Sequence, residues 1–111
     1  MRVVLNNVLP FRGFVAVNIC GVIFARRDSW EALSETLRQK VLRHEAIHTA
    51  QGRELLWLGF YLIYLLEWLV RLPRYGSVVA YKMVSFEREA YDHDWQTEYL
   101  KIRKHFAQWR K

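Results

Sequence analysis

Between Gly13 and Arg27 the chain reads GFVAVNICGVIFARR, an apolar run rich in Val, Ile and Phe with no helical repeat. β-branched and aromatic residues suit a half-buried pleated surface, so this stretch predicts one or two β-strands, with Gly21 as a bulge or bend. RRDSWEAL then signals a helix start. Asp28, with Glu31 three residues on, has the spacing of a capping box, and Ser34 offers a second start. No proline interrupts the chain from there to Leu72, and ETLRQKVLRHEAIHTAQGRE is helical in composition. Gly52 is the weak point of that run, so a break between two helices is expected near it.

The segment Leu55 to Leu66, LLWLGFYLIYLL, is twelve apolar residues between Glu54 and Glu67. A membrane span needs about 20 residues, and extension to Leu72 would carry Glu67 and Arg71 into hydrocarbon. The run therefore predicts a buried core helix. Its Trp57, Tyr61, Tyr64 and Trp68 would also suit an interfacial or self-associating helix. Pro73 and Gly76 predict a turn after it. A further helix is expected by Ser85. Trp95, Tyr99, Ile102, Phe106 and Trp109 then recur at steps of three and four, the pattern of a core face on a final helix. One or two N-terminal strands packed on three or four helices give an α+β fold, mainly helical, in a single domain over residues 1–111.

Composition adjusts this picture little. The 111 residues are 52% apolar, enough for a core, and disorder is not expected. Seventeen Lys and Arg against eleven Asp and Glu leave a net charge of +6. The densest basic stretch, Lys101 to Lys111, reads as an amphipathic helix and carries no nucleic-acid motif, so a solvated basic surface is expected and a nucleic-acid partner is not. The single cysteine, Cys20, lies in an apolar run and predicts a buried thiol, with no intramolecular disulfide. MRVVLNNVLPFRG has no long apolar stretch, so no secretory signal is expected. These readings point to the cytoplasm, with the inner face of a membrane as an alternative seat.

The candidate chemistry lies in RHEAIHTAQGRE, Arg43 to Glu54. On a helix His44 and His48 stand one turn apart on one face and can aim two imidazoles at one point, which suits Zn²⁺ at about 2.0–2.1 Å. Glu45 projects beside that face, where it can reach a metal-bound water and act as general base. Gln51, three residues after His48, is placed for a supporting or substrate contact. A catalytic zinc takes three protein ligands and keeps one position open. The densest source of a third is SFEREAYDHD, Ser85 to Asp94, with Glu87, Glu89, Asp92, His93 and Asp94.

His44-Glu45-x-x-His48 followed by a helical E-x-E-A segment resembles the zinc metallopeptidases of the gluzincin type. In several of those families, the membrane-associated CAAX-processing and heat-shock peptidases among them, the third ligand is the first Glu of E-x-x-A-D. That resemblance implies Glu87 as ligand, with Glu89 as the alternative. Tyr91 stands here in place of the family's Asp, leaving Asp94 or Asp92 to support a ligand histidine. The resemblance covers two short motifs. It implies a minimal peptidase with peptide or protein substrates and a Zn²⁺ cofactor. Extended peptide would add to the sheet edge formed by Gly13 to Phe24. Tyr91, His93 and Tyr81 are candidates for stabilising an oxyanion, and His105 is expected at the surface. Two alternatives stand beside this reading. One is a zinc protein without catalysis. The other is a membrane-surface or helix-partner protein in which the motif is incidental, with homo-oligomers formed through the Leu55 helix.

Overall fold

A computed structural model describes residues 3–8 and 14–109. The expectations that fall on Pro10, Arg12, Gly13, Arg110 and Lys111 lie outside the described residues. Three strands, β1 (Val3–Asn6), β2 (Ala16–Ile19) and β3 (Val22–Arg26), precede five helices. The helices are α1 (Arg27–Ala32), α2 (Glu35–Glu54), α3 (Leu58–Met83), α4 (Ser85–His93) and α5 (Tyr99–Ile102), and a 3₁₀ turn follows at Ala107–Trp109. The fold is α+β and mainly helical, as expected, with one strand and one helix more than the pattern predicted. The extra strand is β1, whose VVLN is too short to announce itself but pairs in parallel with β3, Val3 opposite Ile23.

The sheet order is β1-β3-β2, so β3 is central and β2 is an edge. Ile23 and Ala25 of β3 are fully buried on one face, the period-two signature of a half-covered strand. β2 and β3 pair antiparallel, Ile19 opposite Val22, through a two-residue turn at Cys20 and Gly21. Both turn residues have positive φ, 51° and 90°, the twist that suits a two-residue hairpin. Gly21 therefore makes a turn rather than a bulge. The same turn lifts Cys20 out of the apolar run, and its thiol is exposed, against the expectation of burial.

The capping box at Asp28 does not form. Asp28 lies inside the first turn of α1 and pairs with Arg26 at 3.3 Å. Ser34 is the start that the chain uses, its Oγ accepting from the Leu37 N–H at 3.3 Å to cap α2. α2 runs straight through Gly52. The break falls four and five residues later, where Leu56 and Trp57 both take positive φ and the Trp57 N–H returns to the Gly52 carbonyl at 2.7 Å. Beyond it α3 leaves at a bend of 111°.

Pro73 sits inside α3, and the expected turn contracts to one residue, Gly76, whose φ of 78° and ψ of 170° kink the helix. Phe60 of α3 packs on Phe86 of α4 with ring centres 4.7 Å apart, in a cluster with Val84, Ile63, Tyr64 and Trp68. Leu55 and Trp57 also pack on this cluster, but much of the Leu55 to Leu66 run is not core. Leu58, Leu62, Leu65 and Leu66 are half or more exposed. No single helix among the described residues is long and apolar enough to cross a membrane.

The expected final helix breaks up as well. Of its five stripe residues Tyr99 alone is buried, while Trp95 and Ile102 are largely exposed. α4 ends at His93 and α5 at Ile102, where the extended Arg103 turns its guanidinium inward to Glu89 at 2.6 Å and Glu54 at 3.0 Å.

Candidate metal centre

The buried face of α2 is His44, Glu45, Ile47, His48, Gln51 and Gly52, offsets of one, three, four, seven and eight along a helix. It is thus a single stripe, and its polar members need partners from elsewhere in the chain. α4 lies against it and supplies Glu87, Glu89 and Ala90, with Asp94 at its C-terminal end. His44 Nε2 is 3.0 Å from Glu87 Oε1, His48 Nε2 is 3.1 Å from Glu87 Oε2, and the two Nε2 atoms are 3.2 Å apart. These three buried side chains form a group able to hold a metal ion.

The donor set fits one. Two imidazoles and a carboxylate leave a fourth position open. Ligands held tetrahedrally at about 2.0–2.2 Å from an ion sit about 3.3–3.6 Å from each other. The separations here fall a few tenths of an ångström inside that range. The charge balance points the same way. Burial disfavours a charged His48, yet the Glu87 carboxylate overcomes it and pushes the imidazole up to about 9. Burial likewise opposes an ionised Glu87, and His48 and His44 overrule it and hold its carboxyl well below the usual range. The cluster is built around positive charge, for which a proton and a metal ion compete.

Each ring is held from behind. The His44 Nδ1–H donates to Asp94 Oδ2 at 3.1 Å, which points Nε2 of the same ring at Glu87. Asp94 stands seven residues after Glu87, two helical turns on; Asp92 does not take part in this contact. His48 Nδ1 donates to Gln51 Oε1 at 2.8 Å. Gln51 is oriented in turn, its amide donating to the Phe86 carbonyl at 3.0 Å and to Glu89 Oε1 at 2.9 Å. Glu89 is therefore not at the centre: it accepts from Tyr99 at 2.6 Å and from Arg103. His93 turns away too, its ring stacked on Tyr99 and its Nδ1 bonded to Gln96 at 2.7 Å. His105 is at the surface, 2.9 Å from Glu54.

Two further residues belong to the centre. Tyr64, legible in the sequence merely as one of several aromatics, donates to Glu87 Oε2 at 2.8 Å. Burial, reinforced by the Glu87 charge, keeps the Tyr64 and Tyr81 phenols protonated well above their ordinary range. Asn18 of β2 donates to the Glu45 carbonyl at 2.8 Å and to Thr49 Oγ1 at 2.7 Å. That clamp lays the edge strand along α2.

Glu45 lines two cavities. The larger, about 750 Å³, is mostly apolar and lies between β2 and α3, with His48, Glu87, Tyr64 and Trp68 in its wall. The smaller, about 310 Å³, lies on the side of His44, Lys40 and Asp94. Phe14, Ala16, Glu45, Tyr81 and Tyr91 are common to both, so the cavities adjoin one another beside the edge strand. Burial pushes the Glu45 carboxyl up, against the pull of the two imidazoles. Tyr91 lies edge-on to His44 with ring centres 4.5 Å apart, and its hydroxyl is 3.0 Å from that of Tyr81.

Comparison with protein-family models, with curated proteins and with solved structures gave no match.

Proposed function

We propose that this chain is a zinc-dependent hydrolase acting on extended peptides, a minimal relative in kind of the gluzincin peptidases. One observation carries the reading. His44, His48 and Glu87 converge with both Nδ1 atoms engaged from behind, and Glu45 stands beside them where two cavities meet. His44, His48 and Glu87 would hold the ion. When bound, zinc supplies Lewis acidity, polarising a carbonyl and making water acidic enough to ionise near neutral pH.

The chain's own residues do the rest. Edge strand β2 pairs with the backbone of an extended peptide, and the apolar cavity takes a large side chain next to the scissile bond. Glu45, its carboxyl raised towards neutrality by burial, accepts a proton from the attacking water. It returns that proton to the amine as the C–N bond breaks. The Tyr81 and Tyr91 hydroxyls offer donors for the developing oxyanion. A single cysteine and an excess of basic residues fit action in a reducing compartment, at the cytoplasmic face of a membrane.

The test is zinc per chain by elemental mass spectrometry, read beside peptide hydrolysis. The parent and Glu45→Gln are expected to hold about one ion, as the four-coordinate site requires, and His48→Ala almost none. Glu45→Gln should lose at least about 10²-fold in turnover. Unchanged turnover in Glu45→Gln would remove Glu45 from the chemistry. Zinc without turnover in the parent would identify the non-catalytic alternative.

A further inference from the structure

Helix α3 is apolar on two sides. Its inner stripe, Phe60, Ile63, Tyr64 and Trp68, packs on Val84 and Phe86. A second stripe, Leu58, Leu62, Leu65, Leu66, Leu69 and Val70, follows helical spacing on the other side and is 46–77% exposed. No segment among the described residues covers it. An apolar surface of this size is uncommon on a chain that stays alone in water.

Charge decides what covers it. From Leu55 to Met83 the basic residues are Arg71, Arg74 and Lys82, and the acidic residue is Glu67. Glu67 is turned to α4, where it accepts from the Ser85 N–H at 2.8 Å and from Ser85 Oγ at 2.7 Å. Arg74 stands one helical turn beyond Val70 along the exposed stripe, with its guanidinium 5.4 Å over the Tyr75 ring. Arg71 reaches back to the Glu67 carbonyl at 3.1 Å, and Lys82 lies beyond the Gly76 kink in the wall of the larger cavity, so Arg74 is the cation that extends the stripe. The face is therefore apolar in the middle and cationic at one end, and offers no carboxylate. A second copy of this face would bring cations without counter-charges. Anionic phospholipid supplies acyl chains for the leucines and a phosphate for Arg74.

We propose that the outer face of α3 seats the protein on an anionic phospholipid surface, with the helix lying in the plane of the interface. Tyr75, partly exposed, sits on the segment as an interfacial anchor. Tyr61, Leu65, Trp68 and Val78 of α3 form part of the larger cavity's wall, so the seat brings that wall close to the bilayer. The lipid seat stands independently of the zinc reading.

Flotation of the full chain with vesicles of phosphatidylcholine, alone or mixed equally with phosphatidylglycerol, tests it. The parent should float with the mixed vesicles and be released by salt. Leu62→Ser/Leu66→Ser changes exposed positions and should keep the parent's circular dichroism and Tm while binding about tenfold more weakly or worse. Arg74→Glu should weaken binding to the mixed vesicles and not to phosphatidylcholine alone. His48→Ala, which removes a metal ligand, should float like the parent, so failure of the zinc reading leaves this result standing. No flotation, or flotation indifferent to lipid charge or to the leucine pair, would overturn the proposal. So would a lipid-free dimer in analytical ultracentrifugation that the leucine pair dissolves, which would give the face to a second copy.

Discussion

Gln51 shows how much one side chain decides here. It is fully buried, and its amide satisfies three partners at once. The carbonyl of Phe86 and the Glu89 carboxylate take its two N–H groups, which leaves Oε1 to accept from His48. The His48 ring orientation follows, with Nε2 directed at Glu87 and His44. Gln51→Met keeps the volume and removes the amide. It should lower zinc affinity by about 10- to 100-fold in a chelator competition. It should also cost about 1–3 kcal/mol in a urea melt, since buried Phe86 and Glu89 acceptors lose their donors. Unchanged zinc affinity would mean that His48 needs no partner on Nδ1.

At the scale of elements the junction of α2 and α3 is the instructive case. Glycine inside a helix costs about 1 kcal/mol relative to alanine, so Gly52 ought to be replaceable with profit. It is not, because the Trp57 ring lies over it, and a methyl group there would overlap that ring. Trp57 also stacks on Tyr61 and packs edge-on to Phe60, which fixes the ring. Gly52→Ala should therefore lower Tm despite its gain in helix propensity. Gly52→Ala/Trp57→Leu should recover part of that loss, a non-additivity that a double-mutant cycle measures. A Tm raised by Gly52→Ala alone would show that the ring can move aside.

Across the whole molecule one buried cation ties the tail to the centre. Arg103 joins Glu54 at the end of α2 to Glu89 of α4, and Glu89 orients Gln51. Arg103→Leu would leave two buried carboxylates without their cation. It should cost about 3–5 kcal/mol in denaturant and weaken zinc binding through Gln51. A loss of stability with zinc affinity intact would separate the tail from the metal centre. The same clasp sets an acid limit. Burial opposes ionisation of Glu54, but hydrogen bonds from Arg103, His105 and the Phe106 N–H outweigh it and hold its carboxyl below the ordinary range. A depressed folded-state pKa gives stability that is present above the ordinary glutamate pKa and lost as the pH falls through the folded value. The protection factors of amides in residues 99–109, taken relative to the intrinsic exchange rate at each pH, should therefore fall on acidification through that window, and Glu54→Gln should flatten the dependence.

What the chain's own order determines is short in range. His44, Glu45, Ile47 and His48 share a face because a helix repeats every 3.6 residues or so, and the α+β class follows from one strand-rich run before a long helical one. Glu87 and Asp94 are two turns apart, so their common face is legible in the spacing. Tertiary structure alone decided the rest. Local spacing carries no record of the Trp57 ring that moves the break past Gly52, or of the parallel pairing that makes VVLN a strand. Nor does it record that Arg103 turns inward to two buried acids, or that half of an apolar helix faces outward. Periodicity is set by the backbone within one or two turns. Which side of an apolar helix becomes core, and which carboxylate meets a histidine, depend on contacts between residues far apart in the chain, and these exist only once it has folded.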